Sequence, residues 1–475
     1  MFERLFRLSE NGTTVRTELL AGATTFLTMA YIIVVQPLVL SGRMFGFDTG
    51  MDFGSVMTAT CLSAALATAV MAIYARYPIA QAPGMGENFF FVFSILPAAA
   101  AAMKSAGVSG MAPWEVGLWV VVASGVLFVL VSLAGLRKLI VNAVSPSMKN
   151  AMAVGIGVFI AFIGLENAGL IVKSEGTLVQ LNARFYSIDI IIFLVALILT
   201  AALHARRARG SILWGIVAAT LLSVMAKLLL GAMPELAKTP VFAGSKMTAM
   251  FSLAQGLVSA PPSVAPTFFK MKMAGAIFWK MLPFVIILLF MDVFDTIGTL
   301  IGVSEQAGFI KDNKLPRAER ALMSDAIGTV AGGLLGTSTV TSFIESAAGV
   351  EAGGRTGLTG LVVSALFLLS LFLAPVVEMV ASYPAITSAA LVVVGAMMMA
   401  TVTRMDWKDY SESIPGFLII LGIPLSYSIA DGLALGFITY PVVKLFAGKG
   451  REVGWLMYVL AALLFLYFLF VRSSI

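Results

Sequence analysis

A chain of 475 residues with 59% hydrophobic and only 12% charged residues is too apolar for a soluble domain, where about 25% of residues are charged, and a mean hydropathy of +0.98 marks a polytopic membrane protein. The net charge of +6 is spread over short hydrophilic connections and forms no single basic face, which argues against nucleic acid as a partner. One Cys (Cys61) and one His (His204) exclude a disulfide framework and a Cys/His zinc set.

In chain order, residues 1–16 interleave Phe and Leu with charges and lack the apolar core and small-residue cleavage site of a signal peptide. They predict an amphipathic helix lying in the membrane interface. Apolar runs of about 20 residues predict strong spans at 17–40, 54–75, 114–134, 187–204, 211–231, 274–303, 357–377 and 384–402. Weaker or shorter ones fall at 78–96, 145–166, 318–336, 338–352, 414–430 and 432–448, fourteen in all. A last apolar run, 455–471, is either an extra span or an interfacial helix.

Short loops rich in Lys and Arg face the cytoplasm. With a cytoplasmic amino terminus, the connections holding Arg76, Arg137 and Lys138, Arg206 to Arg209, 311–320, Arg355, Arg404 and Lys408, and 444–451 all fall inside. The outer loop 232–273 also carries several Lys, but long loops obey the rule weakly.

Three segments hold unusual residues. The eighth, MLPFVIILLFMDVFDTIGTLIGV (281–303), contains Asp292 and Asp295, although a charge at bilayer depth costs roughly 2.5–3.5 kcal/mol on insertion scales. Acids kept at that cost line ion or substrate pathways, so transport is expected. Three residues apart, they share a helix face only loosely and can hold different tasks; the structural alternative pairs them with Lys149 or a half-helix amino terminus. The third segment, PIAQAPGMGENFFFVFSI (78–95), and the region of the tenth, GTSTVTSFIESAAGV (336–350), mix Gly, Pro or hydroxyl residues with a carboxylate or amide. Neither is a good continuous helix. Paired interrupted segments mark transporter sites, because irregular backbone survives at membrane depth only where protein buries it or it lines a cavity. Segments three and ten are seven apart, as an inverted repeat of seven plus seven requires, though the halves show no overt sequence identity.

The strings APGMG (82–86) with Asn88, FMDVFDTIGTL (290–300), GTSTVTSFIESAAG (336–349) with GGRTG (353–357), and PLSYSIADG (424–432) closely resemble the nucleobase:cation symporter-2 superfamily, in its adenine, guanine and hypoxanthine permease branch. The resemblance runs from about Asn11 to about Gly448. It implies an all-α fold of about fourteen segments in two inverted repeats, with short extended stretches in segments 3 and 10. The core would comprise 17–135 and 274–380, the gate 136–231 and 381–448, flanked by 1–16, the outer loop 232–273 and a hydrophobic tail, 449–475. It further implies elevator-like import of a purine by symport, a homodimer, and a multi-pass place in the cell membrane, here a bacterial inner membrane. Two departures stand out: Glu87 occupies a position usually apolar, and Gln36-Pro37 replaces a commoner Asn-Pro.

A purine presents N–H donors and N or C=O acceptors around a flat ring. Asp295 and Glu345 can accept its N–H groups, Asn88 can donate and accept, and Phe26, Tyr31, Phe89 or Phe343 can stack on its face. With the resemblance, the expected substrate set is Gly86, Asn88, Asp292, Asp295, Phe343, Glu345 and Ser346. The alternative for Glu345 is that it caps backbone N–H groups freed at the helix break. A carboxylate removed from water favours its neutral form, so proton coupling through Asp295, Asp292 or Glu345 is expected, with sodium, caged by oxygens near Thr337, Ser338 and Thr339, as the lesser alternative. Asp325 should organise the core through Ser or backbone donors, Asp431 should be interfacial, and Gly328, Gly332, Gly333 and Gly336 should serve helix packing. An anion transporter or channel of the same general fold is the rival function, disfavoured by the carboxylates. With no metal cluster, nucleophile–base pair or Walker lysine, neither an enzyme nor an ATP-driven pump nor a cofactor is expected.

Overall fold

The computed structural model describes residues 2–134, 143–174, 176–310 and 315–470. Arg137, Lys138 and the stretch 311–314, used above for sidedness, lie outside them, as does 471 at the end of the last apolar run. Eleven helical stretches are long and apolar enough to cross a membrane: segment 1 (Val15–Leu40), 2 (Phe53–Ala75), 3 (Met85–Ser105), 4 (Pro113–Leu133), 5 (Pro146–Asn167), 6 (Ile188–Ala205), 7 (Ser211–Ala232), 8 (Gly275–Gln306), 11 (Gly357–Ala381), 12 (Pro384–Arg404) and 14 (Ile429–Phe446). Segments 9 (Ala318–Leu335), 10 (a strand followed by helix Ser346–Glu351) and 13 (Tyr410–Ser426) fall short in length or apolarity.

Several boundaries differ from expectation. Segment 3 continues past 96 to Ser105, because Pro97 falls in the first turn of a new helical stretch, where its missing N–H costs nothing. Segment 13 starts earlier, where Asp409 accepts the Ser411 N–H at 3.0 Å. It stops at Ser426 because Tyr427 turns left-handed (φ 51°). Ser428 then caps segment 14 through the Asp431 N–H, 3.2 Å, and Asp431 is buried in its first turn. Ahead of segment 1 a short helix spans Phe2–Phe6, and Phe6 and Leu8 are buried against Leu358. The final helix, Trp455–Phe470, has 16 residues, about 24 Å at 1.5 Å per residue. It buries Met457, Leu460 and Leu464 and packs on segments 14 and 8.

Packing sorts the helices into two groups. Segment 11 lies on segments 1 and 2, segment 9 on segments 2 and 4, and segment 8 on segment 4; separately, segment 12 lies on segments 5, 6 and 7, and segment 13 on segments 5 and 14. Small residues allow the contacts. A Cβ on Gly395 would stand 2.3 Å from the Gly157 carbonyl oxygen in the second group, and one on Gly333 2.7 Å from Val122 in the first. On segment 7, Trp214, Val217, Leu221, Met225 and Leu228 form an exposed apolar stripe at helical spacing, suited to lipid and too large for water. The loop 232–273 is fastened to both groups: the Asp189 carboxylate accepts from the Lys246 and Met247 N–H groups at 2.8 and 3.2 Å and from Tyr383 Oη at 2.5 Å, while Thr267 Oγ1 donates to the Leu335 carbonyl at 3.0 Å.

Four short strands complete the fold. β2 (Ile171–Lys173) and β3 (Val179–Leu181) form a hairpin between segments 5 and 6. β1 (Gln81–Pro83) and β4 (Val340–Ser342) are 257 residues apart in the middle of the first group, and pair antiparallel, Gln81 with Ser342, Ala82 with Thr341 and Pro83 with Val340. Each strand leads into the helical part of its own segment, which gives the two interrupted segments opposite directions about a common seam.

Candidate substrate site

The seam is built by side chains that finish what the broken helices leave unpaired. Thr68 bonds both to the N–H and to the C=O of Gln81 at 2.9 Å, and the Phe343 and Gly84 N–H groups donate across the strands to Ala80 and Thr339 at 2.9 and 3.0 Å. Ser346 Oγ accepts the Ala80 N–H at 3.0 Å, so this expected contact residue ties segment 10 to segment 3. Gln36 occupies the centre: its Nε2 donates to Thr337 Oγ1 and Ser338 Oγ at 2.9 and 2.8 Å, and its Oε1 accepts from Asn88 Nδ2 at 2.7 Å. Asn88 is fully buried, and its Oδ1 has no partner among the described residues.

The two acids of segment 8 differ in exposure. Asp292 is 0% exposed, turned into the protein, and accepts from Thr329 Oγ1 at 2.7 Å. Asp295 is exposed although it lies mid-segment, as is Gly298 one turn on. Asp295 lies near both Tyr31 and Glu345. Glu345 is half-buried, stands just before helix Ser346–Glu351 without capping it, and accepts from Tyr31 Oη at 2.9 Å. The capping alternative is therefore not what its side chain does. Segment 1 supplies Tyr31 because it breaks at Ala30–Tyr31 between helices Val15–Met29 and Ile32–Leu40. Lys149 of segment 5 reaches over the Phe294 ring, 5.0 Å from its centroid, so the two helix groups meet beside Asp295.

Among expected residues, Asp295 and Glu345 are brought together at accessible space, with Tyr31 as a hydrogen-bond donor and not a stacking wall. Phe89 is enclosed by Phe45 and Phe159, with centroids 5.9 and 6.1 Å away, and Phe343 is 5% exposed. Gly86 is a spacer: a Cβ there would lie 3.3 Å from Ile156 of segment 5. Asp325 accepts from Gln81 Nε2 at 2.7 Å and from Ser342 Oγ at 3.4 Å, the organising task expected of it. Thr296, Thr329 and Gln81 were not singled out by sequence reasoning; a hydroxyl one residue from Asp295 was the visible signal for the first. No group of three or more His, Cys, Asp or Glu side chains among the described residues is arranged to hold a metal ion. Chemically, the arrangement offers an exposed carboxylate and a half-buried one, the second bonded to a buried phenol, backed by a hydrogen-bonded polar wall.

A family model described as the Permease family, Xan_ur_permease, matches residues 16–435. The chain is 39% identical over 462 residues to the guanine/hypoxanthine permease PbuO of Bacillus subtilis, with 97% of this chain and 99% of that protein covered. It is 36% identical over 474 residues to the adenine permease AdeP of Escherichia coli, with 100% and 97% covered. Among solved structures, the transmembrane domain of a cyanobacterium bicarbonate transporter, BicA, superposes with a TM-score of 0.60 over 89% of this chain and 97% of that one at 14% identity. That likeness is one of fold.

Proposed function

The chain belongs to the nucleobase:cation symporter-2 permease family, and we propose that it imports purine nucleobases across the cell membrane by proton symport. The observation that carries this reading is the pairing of Asp295 and Glu345 at accessible space, with Tyr31 bonded to Glu345. Carboxylates accept the ring N–H and exocyclic amino groups of a purine, whereas an anion would be repelled; this favours a purine over the bicarbonate in the name of the structural neighbour. Permeases named for guanine, hypoxanthine and adenine at 36–39% identity support the same class of substrate.

In the cycle we infer, Asp295 takes a proton from the side of higher acidity, which removes a charge that opposes movement through a dry passage. Glu345 holds the base by its N–H groups. The first helix group, with both interrupted segments, then slides against the second as an elevator, and loss of the proton inside releases the base. The amino terminus faces the cytoplasm and the working unit is a homodimer. Radiolabelled hypoxanthine uptake in a permease-deficient strain, competed by unlabelled purines and pyrimidines, tests the substrate. Uptake should collapse with a protonophore and survive replacement of sodium by choline. Sodium dependence with protonophore resistance would refute the coupling ion, and labelling of an Arg207→Cys variant from outside intact cells would refute the orientation.

A further inference from the structure

Near the exposed Asp295 lies a carboxylate that the cycle above does not use. Glu87, third residue of the helix Met85–Phe90, is 2% exposed, and its Oε2 has no hydrogen-bond partner among the described residues. Its position is fixed by Gly84: a Cβ there would stand 2.1 Å from Glu87 Oε2 and 2.9 Å from Thr341 Cγ2, which places the carboxylate on the β1–β4 seam. Asp295 and Asp292 of segment 8 and Asp325 of segment 9 face it. Segment 5 brings Lys149, seated over Phe294, and segment 14 brings Asp431 at its first turn. No ion pair within 4.0 Å joins Glu87, Asp292, Asp295 or Asp325 to a Lys or Arg among the described residues.

The buried acids differ in what donates to them. Asp292 receives the Thr329 hydroxyl, and Asp325 receives the Gln81 amide and the Ser342 hydroxyl, donors that hold each as an acceptor. One oxygen of each, Asp292 Oδ1, Asp325 Oδ2 and Glu87 Oε2, is without a partner among the described residues, but no side-chain donor among them reaches Glu87, so the ligand that suits it is a proton. Asp295 is exposed and its charge acts on Glu87, which supplies the route from solvent.

We propose that Glu87 is a second proton-carrying site of the transport cycle, loaded from solvent through Asp295. A hydronium ion from solvent protonates Asp295; that O–H bond then breaks as an O–H bond forms at Glu87 Oε2, and Asp295 regains its charge for a second proton. Glu87 rides on interrupted segment 3 and crosses with it. This inference rests on the proton symport proposed above.

The test uses the full chain in proteoliposomes, with limiting hypoxanthine accumulation measured against an imposed pH gradient at zero membrane potential. Each coupled proton multiplies the limiting ratio about tenfold per pH unit. The parent should therefore reach about a hundredfold per unit and Glu87→Gln about tenfold, with equilibrium hypoxanthine binding unchanged. A Glu87→Gln slope equal to the parent's overturns the proposal, a result a merely structural Glu87 would give. If the variant fails to fold, the parent decides alone: a hundredfold slope supports the second proton and a tenfold slope overturns it. Failure of the proposed function looks different, because parental accumulation would then ignore the pH gradient.

Discussion

At the scale of single residues, position in the sequence says little about which acid meets the substrate. Asp292 and Asp295 are three residues apart on one helix, yet the first is sealed against Thr329 and the second opens to accessible space. The division predicts unlike phenotypes. Glu345→Gln keeps shape and one acceptor but loses a charge-assisted bond, worth about 1.5–3 kcal/mol, so purine affinity should fall roughly tenfold or more with insertion intact. Asp295→Asn should abolish gradient-driven accumulation while binding and passive exchange persist, since an amide cannot cycle a proton. Surface level, equilibrium binding and uptake are measured for both; parental transport by both variants would make these acids structural.

Elements are held by side chains from distant parts of the chain. Glu18 of segment 1 accepts five bonds at the start of segment 11: the Arg355, Thr356 and Thr359 N–H groups at 2.9, 3.3 and 3.1 Å, and the Thr356 and Thr359 hydroxyls at 2.9 and 2.6 Å. One carboxylate therefore caps a membrane helix whose own Thr356 accepts from the Leu358 and Thr359 N–H groups. Glu18→Ala should leave these buried donors unpaired, at about 1–3 kcal/mol each where water cannot enter, and lower the thermal midpoint of the detergent-solubilised protein. Glu18→Gln, which keeps an acceptor, should recover part of the loss; equal midpoints for parent and Glu18→Ala would show that the cap is dispensable. The same logic governs the seam, where Gln36 completes a polar wall drawn from segments 1, 3 and 10.

For the whole molecule, the two helix groups meet where segment 3 packs on segments 5 and 14, segment 1 on segment 7, segment 8 on the last helix, and Lys149 of segment 5 on Phe294, besides the docked loop 232–273. Lys149 and Phe294 mark one of those contacts, across the groups and beside Asp295. A Lys149→Cys, Phe294→Cys pair joined by a short bifunctional maleimide should lose uptake, relative to the same variant before linking, if the groups must move past each other. Undiminished uptake by the linked protein would exclude that motion. Native Cys61 is buried and adds little background.

Much of the architecture was legible because hydrophobic length is a local property. Each of the fourteen segments expected from apolar runs has a counterpart, and Gly, Pro and hydroxyl residues at 78–95 and 336–350 announced two breaks, since a helix cannot tolerate such runs without outside partners. Boundaries slipped where a cap or a positive φ decided them, as at Asp409 and Tyr427. The pairing of Gln81–Pro83 with Val340–Ser342, the linking role of Gln36, the Tyr31–Glu345 bond and the unequal exposure of Asp292 and Asp295 were not legible. Each depends on residues tens to hundreds of positions apart, and on which lone pair of a polar group remains free after its neighbours have donated. Local composition fixes what must be buried; only the tertiary structure decides which polar groups are satisfied there and which are left to bind.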